Sequence, residues 1–309
     1  VFAEPTFALL LNRPGLCVGL FTQPDRASGV ERGSTRQTGK GMKVIASEHH
    51  LPVFQPENIN TPEGLAMLGG LSPDLVVVAA YGQILKPDVI AAVPHGFINV
   101  HASLLPKYRG AAPINWAIYH GETRTGVSIF RIQSGVDTGE VYAQEAIDIG
   151  PDETAGDVEA RLAPIGASLA MRVLDQIAAG TAQGVRQDNR LATKAPKLNK
   201  DDGLIDWTRT APQVCCQIRA MHPWPSAYTF WHRGGQTPLR LIVHKARVSQ
   251  GSASPGTILP TPNTLTVGTG EGVIEVLELQ PAGKARMTAA DFLRGRRPQS
   301  GDRLGPEKI

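Results

Sequence analysis

Hydrophobic positions fall into short runs in the first half of the chain. Leu75-Val-Val-Val-Ala-Ala80 is a continuous apolar, mostly β-branched run, which predicts a central strand buried on both faces. Leu16–Phe21, Val53-Phe54 and Ile98–His101 predict three further strands. Between and after them the spacing predicts helices over 41–49, 62–70 and 112–120. Val158, Leu162, Ile165, Leu169, Val173 and Ile177 recur at helical spacing. They predict a helix over 154–179 with Thr154 as N-cap and Gly180 as its stop. Pro164 is expected to kink or restart that helix. Strands alternating with helices predict an α/β fold with a doubly wound, mostly parallel, Rossmann-like sheet and a site at the carboxyl ends of its strands.

The pattern changes near residue 186. Arg186, Arg190, Lys194, Lys197 and Lys200 lie in a polar stretch whose one acid before Asp201 is Asp188, and 186–203 reads as a basic linker. A short helix is predicted over Ala211–Met221. Short alternating runs at 226–232, 238–248, 256–259, 264–268 and 272–279 are separated by turn residues such as Gly234-Gly235 and Ser254-Pro255-Gly256. They predict a small β-barrel. The expected organisation is a first domain over 1–185, the linker over 186–203 and a barrel domain over 204–309. No internal repeat is evident.

Composition narrows the class. The chain is 41% hydrophobic and 19% charged, ordinary for a globular protein. Its longest apolar run, Leu75–Tyr81, is too short to cross a bilayer, so no membrane partner is expected. No charged start followed by a cleavage site is seen, and a cytoplasmic location is expected. Cys17, Cys215 and Cys216 have neither disulfide-framework nor metal-ligand spacing, and no metal is expected. Net charge is +3, but residues 1–185 are net acidic and 186–309 net basic, so the second half suits a polyanion.

Candidate chemistry lies in 96–110 and in the Gly135-Val-Asp-Thr-Gly139 turn. A strand through Asn99 and His101 points both side chains to one face. Asp137, in a Gly-flanked turn, can carry a carboxylate into a cleft. An amide and an imidazole can hold a developing oxyanion, and a carboxylate can orient the imidazole or accept a proton. The set suits acyl transfer between bound partners, with no obvious nucleophile of its own.

His101-Ala-Ser-Leu-Leu-Pro-Lys-Tyr-Arg-Gly-Ala-Ala-Pro-Ile114 and the Gly-x-Asp-x-Gly turn resemble the formyl-tetrahydrofolate-dependent formyltransferases. Phe21-Thr-Gln-Pro-Asp-Arg26, Ala80-Tyr-Gly82, Ile205-Asp-Trp207, Pro223-Trp-Pro225 and Leu277-Glu-Leu-Gln-Pro-Ala-Gly-Lys284 extend the resemblance over nearly the whole chain. The Gln280–Lys284 stretch favours the branch that acts on charged tRNA. The resemblance implies an OB-like barrel and a donor, 10-formyltetrahydrofolate. The pterin is expected near Tyr81, Gly82, Gln83, Ile84 and Leu85 and the Asp137 turn, with Ser103, Leu104, Leu105 and Pro106 bordering the folate. The implied acceptor is the α-amine of methionine on initiator tRNA, with Asn99, His101 and Asp137 catalytic.

The stretch from Arg26 to Lys43 has five basic residues, one acid and four glycines and reads as a flexible loop. The resemblance puts such a loop near the tRNA acceptor end, with Arg32, Arg36 and Lys40 as candidate contacts. Lys194, Lys197 and Lys200 are the linker's candidates. A monomer is expected. The chain departs from the family at Val1–Phe7, where relatives have a first strand and a Gly-Thr-Pro turn, and in the pattern of the 26–43 loop. Other readings are an amino-sugar formyltransferase, a formyl hydrolase and a nucleic-acid-binding module with an inactive α/β half.

Overall fold

The computed structural model describes residues 2–25, 41–260, 263–299 and 301–308. It resolves into two compact units. One comprises Val1–Ile114, Arg124–Ile149 and Asp157–Lys197; the other comprises Asn115–Thr123, Gly150–Gly156 and Leu198–Ile309.

In chain order the elements are α1 (Glu4–Leu11), β1 (Leu20–Phe21), α2 (Met42–Glu48), β2 (Val53–Phe54), α3 (Pro62–Leu71), β3 (Val76–Val78), α4 (Pro87–Ala91) and β4 (Phe97–His101). There follow β5 (Arg109–Gly110), α5 (Pro113–Tyr119), β6 (Arg124–Arg131), β7 (Val141–Asp148), α6 (Ala155–Ala178) and β8 (Lys194–Ala195). Local chemistry sets several ends. Thr61 accepts a hydrogen bond from the Gly64 N–H, with Pro62 and Glu63 in the first turn, a favourable helix start. The chain turns left-handed at Gly180 (φ 67°) just beyond α6, as its stop requires.

The α/β architecture agrees with the sequence pattern, but the sheet is mixed rather than mostly parallel. β1 and β2 pair in parallel, as do β3 and β4. β6 runs antiparallel to β4, and β7 antiparallel to β6. The outer edges of β1 and β3 both line an apolar cavity of about 600 Å³. β6 and β7 were not anticipated. In β6, Gly126 and Ser128 alternate with Val127 and Ile129, and all four are buried, so small and polar side chains fill an interior face.

Pro164 does not restart α6, which is continuous from Ala155 to Ala178. A proline removes the N–H that would bond the carbonyl four residues earlier. Pro164 and Ala160 are both exposed, so water can satisfy that carbonyl while Val158, Leu162, Leu169 and Val173 stay buried. Gly166 permits close packing: a Cβ there would lie 2.8 Å from Val100 Cγ1 and 3.3 Å from Val127 Cγ1. The Val100 face of β4 therefore packs on α6, and Asn99 and His101 project from the other face.

Residues 186–197, the start of the expected linker, belong to the first unit. Lys194 and Ala195 of β8 pair in parallel with Arg109 and Gly110 of β5.

The second unit contains α7 (Ala211–Ala220), β9 (Tyr228–His232), β10 (Leu239–Ser249), β11 (Ile258–Pro260), β12 (Leu265–Gly268), β13 (Val273–Pro281), β14 (Met287–Thr288), α8 (Ala289–Arg296) and β15 (Arg303–Gly305). A capping box between Thr210 and Gln213 opens α7. The strand order is β11-β12-β13-β10-β9-β15, with β14 beside β13. Thr257 bridges Arg303, and Leu304 N–H donates to Gly256 O at 2.8 Å, which nearly closes the sheet on itself as a barrel. Its interior holds Trp231, Leu241, Val243, Leu265, Val267, Ile274, Val276 and Leu279. Among the described residues no helix is long and apolar enough to cross a membrane.

Candidate active site

The site grows from the carboxyl ends of β3 and β4. Val78 pairs with Asn99, so the 79–85 and 102–107 loops leave from adjacent strand ends, where open α/β sheets bind ligands. Directly across the sheet, Asn99 pairs with Phe130 and His101 with Ser128, and Ser128 pairs in turn with Gln144. His101, Ser128 and Gln144 thus form a polar row on one face.

That row fixes the loop after β4. Ser128 Oγ donates to Ser103 O at 2.6 Å and accepts from Leu105 N–H at 3.0 Å and Gln144 Nε2 at 2.8 Å. Its one donor and two acceptor sites are all used. Gln144 Nε2 also donates to Leu105 O at 2.9 Å, and Ser103 Oγ donates to Lys107 O at 2.7 Å. Ser103 and Leu105 are buried, while Leu104 and Pro106 are half-buried. A buried group left without its partner costs about 1–3 kcal/mol. Ser128→Ala is therefore expected to lower stability by roughly 3 kcal/mol, read by urea denaturation. A change below about 0.5 kcal/mol, the range of ordinary surface substitutions, would contradict the role given to this network.

His101 is buried, and its Nε2 lies 2.9 Å from Tyr108 O. A carbonyl only accepts, so Nε2 carries a proton. Nδ1 then faces Asp137 Oδ2 at 3.6 Å. Burial is the largest influence on His101 and holds its pKa below the usual histidine range, against the opposing pull of Asp137 and the Tyr108 carbonyl. With the ring neutral, Nδ1 and the carboxylate are two acceptors facing each other, a natural place to take up one proton.

The Asp137 turn is built around glycine. A Cβ on Gly139 would lie 1.7 Å from Arg131 O. Asp137 itself has a left-handed φ of 52°, a conformation that the surroundings must hold. Its Oδ2 accepts from the Gly110 N–H at 2.7 Å. Gly110 has φ 129°, and a Cβ there would lie 2.3 Å from Ala195 O. Asn99 is half-buried, and its amide has no hydrogen-bond partner among the described residues.

The structure brings Asn99, His101 and the Asp137 turn onto one unit but gives the other candidates varied settings. Tyr81 and Leu85 pack against a core of Ile59, Leu68, Val89, Val93 and Phe97. Gln83 Oε1 accepts from Ile59 N–H at 2.9 Å, and its Nε2 donates to Pro56 O and Glu57 O, so its side chain secures a neighbouring loop. Gly82 has φ 82°, and Ile84 is 77% exposed. Lys194, Lys197 and Lys200 are exposed. Arg32, Arg36 and Lys40 lie outside the described residues. Among the described residues no group of three or more His, Cys, Asp or Glu is placed to hold a metal. Sequence reasoning missed Tyr108, Ser128, Gln144 and Gln187. Their polar groups converge only after folding.

An α/β unit with an Asn, a His and an Asp around a strand end can hold a developing oxyanion and take up a proton, the two needs of acyl-group transfer. Residues 11–174 match the family described as Formyl transferase, and 197–297 match Formyl transferase, C-terminal domain. The chain belongs to this family, and within it to the methionyl-tRNA formyltransferases. It is 43% identical over 305 residues to the methionyl-tRNA formyltransferase of Geobacter sulfurreducens, covering 98% of this chain and 94% of that protein. Against that of Trichlorobacter lovleyi it is 41% identical over 309 residues, covering 100% and 95%. Among solved structures, WlaRD, a sugar 3N-formyl transferase crystallised with dTDP and 5-N-formyl-THF, shares the fold at TM-score 0.66 and 17% identity, over 92% of this chain and 95% of that one. The methionyl-tRNA formyltransferase from Clostridium thermocellum superposes at TM-score 0.51 and 16% identity, over 67% and 87%.

Proposed function

We infer that this chain transfers the formyl group of 10-formyltetrahydrofolate to the α-amine of methionine on initiator tRNA, producing formylmethionyl-tRNA. The full-length likeness to methionyl-tRNA formyltransferases carries the reading. The neutral amine attacks the formyl carbon, a new C–N bond forms, and the carbonyl electrons move to oxygen. Asn99 donates to that oxyanion. The His101–Asp137 pair takes the proton released by the amine, directly or through water. Protonation of Nδ1 gives an imidazolium whose new proton faces Asp137, and whose charge stabilises the nearby oxyanion. The carbonyl then re-forms, the bond to the folate nitrogen breaks, and that nitrogen recovers a proton.

The donor lies across the loops after β3 and β4, with Tyr81–Leu85 on one side and Ser103–Pro106 on the other. Exposed Ile84 and half-buried Leu104 and Pro106 offer apolar contact, and the fixed backbone of 103–107 offers polar contact. The catalytic domain comprises 1–185 together with the start of the 186–203 segment, and a tRNA-binding barrel domain follows over 204–309. The protein acts as a cytosolic monomer. Arg32, Arg36 and Lys40, with Lys194, Lys197 and Lys200, contact tRNA phosphates.

The test is formyl transfer from 10-formyltetrahydrofolate to methionyl initiator tRNA, with nucleotide-linked amino sugars and water as competing acceptors. Affinity for tRNA is expected to fall steeply with salt, because each neutralised phosphate releases about 0.7–0.9 counterion. Joint alanine substitution of Lys194, Lys197 and Lys200 should flatten that slope by about 2–3 and leave folate-analogue affinity unchanged. Formylation of a sugar amine but not of charged tRNA would overturn the reading.

A further inference from the structure

We propose that Gln187 is a positioning residue for the Asp137 carboxylate, acting together with Arg109, and that the segment around it is a working part of the catalytic unit. The proposal rests on the roles given above to His101 and Asp137.

Three consecutive residues hold three different parts of the site. Tyr108 O accepts from His101 Nε2, the Arg109 side chain holds Gln187, and Gly110 N–H donates to Asp137 Oδ2. Gln187 completes the circuit. Its Nε2 donates to Asp137 O at 2.8 Å and to Gly139 O at 2.7 Å. Its Oε1 accepts from Arg109 Nη2 at 2.7 Å and Nε at 3.1 Å. Both amide donors and both acceptor lone pairs are occupied. The orientation is forced, because a guanidinium only donates and a backbone carbonyl only accepts.

Asp137 needs this hold. A non-glycine residue at φ 52° persists where its surroundings over-determine it. Gln187 grips the backbone on both sides of Thr138, while Gly110 grips the carboxylate. Arg109 reaches a second anchor, Asn189 Oδ1, at 2.8 Å. The 108–112 stretch is itself fixed to the same segment: Arg109 N–H donates to Thr193 O, Tyr108 N–H to Thr193 Oγ1 and Ala112 N–H to Ala195 O. The spacing between His101 Nδ1 and Asp137 Oδ2 is thus set from one short strand and its buttress, whose Gln187 lies fifty residues from Asp137 and farther still from His101.

The chemistry of the amide makes the proposal discriminating. Gln187→Leu removes every bond. Gln187→Glu is nearly isosteric and keeps Arg109, but sets a carboxylate against the two carbonyl oxygens of the turn. Both are expected to lower kcat at least tenfold, with KM for charged tRNA and the Kd of a folate analogue within about twofold of the parent. Asp137 raises the His101 pKa, so loosening the turn should move the acid limb of the kcat–pH profile to lower pH. A purely structural role would lower Tm and leave both kcat and that limb in place.

His101→Ala and Asp137→Asn are assayed alongside. If these keep wild-type kcat, the reading of the site itself falls. If they are inactive while Gln187→Leu keeps wild-type kcat and acid limb well below its Tm, only the positioning role falls. Should Gln187→Leu fail to fold, Gln187→Glu decides: an unchanged kcat and limb overturn the proposal, and a tenfold loss with a shifted limb supports it.

Discussion

Asn99→Ala and His101→Ala should each lower kcat by about 10²–10³-fold, the usual loss when one oxyanion donor is removed. The Kd of a folate analogue should change little, because the contact to the oxyanion exists only when charge develops on oxygen. The two variants differ in what else they disturb. The Asn99 amide has no partner among the described residues, so its truncation orphans no group and Tm should stay close to the parent's. His101→Ala leaves the Tyr108 carbonyl without its donor, and its Tm should fall. Single-turnover transfer with saturating donor and charged tRNA gives the rates. Wild-type turnover in either variant would remove that residue from the mechanism.

Asp137→Asn is expected to lower kcat by about 10²–10⁴-fold, the range for a lost acid–base group, while the fold survives. An asparagine Oδ1 can still accept from the Gly110 N–H that now binds Oδ2. It cannot take a proton or favour a protonated imidazole. The pH dependence gives a second readout. Folded His101 already lies below its usual value because of burial, and Asp137 pulls it upward. Removing the charge should lower it further, so the acid limb of the residual rate moves to lower pH. Stability follows the same sign. The unfolded histidine binds a proton near pH 6.5, about its reference pKa, while the folded one resists protonation. The contribution of His101 is therefore complete above that pH and is lost as pH falls through the folded-state value. Thermal melts of parent and variant between neutral and mildly acid pH check this. An active Asp137→Asn enzyme with an unmoved limb would reduce Asp137 to a turn residue.

Much of the fold was legible because burial leaves a period. The β-branched run at Leu75–Ala80 contains β3, although as a half-buried edge strand of its four-stranded sheet and not the expected central strand buried on both faces. The 3.6-residue spacing after Thr154 is α6, and Val53-Phe54 is β2 to the residue. β6 and β7 escaped because Gly126 and Ser128 take buried positions of β6 and Gln144 an exposed one of β7, rather than a run of large apolar side chains. Those residues hold the Ser103–Leu105 loop, so the departure from simple patterning coincides with the site, as is common where function overrides packing. The restart at Pro164 did not follow, since a helix breaker is tolerated where the carbonyl it orphans meets water.

The sequence by itself determined that Asn99 and His101 share a face, because they sit two apart on one strand whatever surrounds them. It also determined that Asp137 lies in a turn, since Gly135 and Gly139 flank it. Only the tertiary structure decided which imidazole nitrogen faces the carboxylate, because that depends on a carbonyl seven residues beyond His101. Only it turned 186–197 from an apparent linker into a buttress. Polar, basic composition is the same for a solvated tether and for a segment whose amides and carbonyls are satisfied by distant partners. The difference lies in where Gln187, Thr193 and Ala195 find those partners, and that is a property of the folded chain.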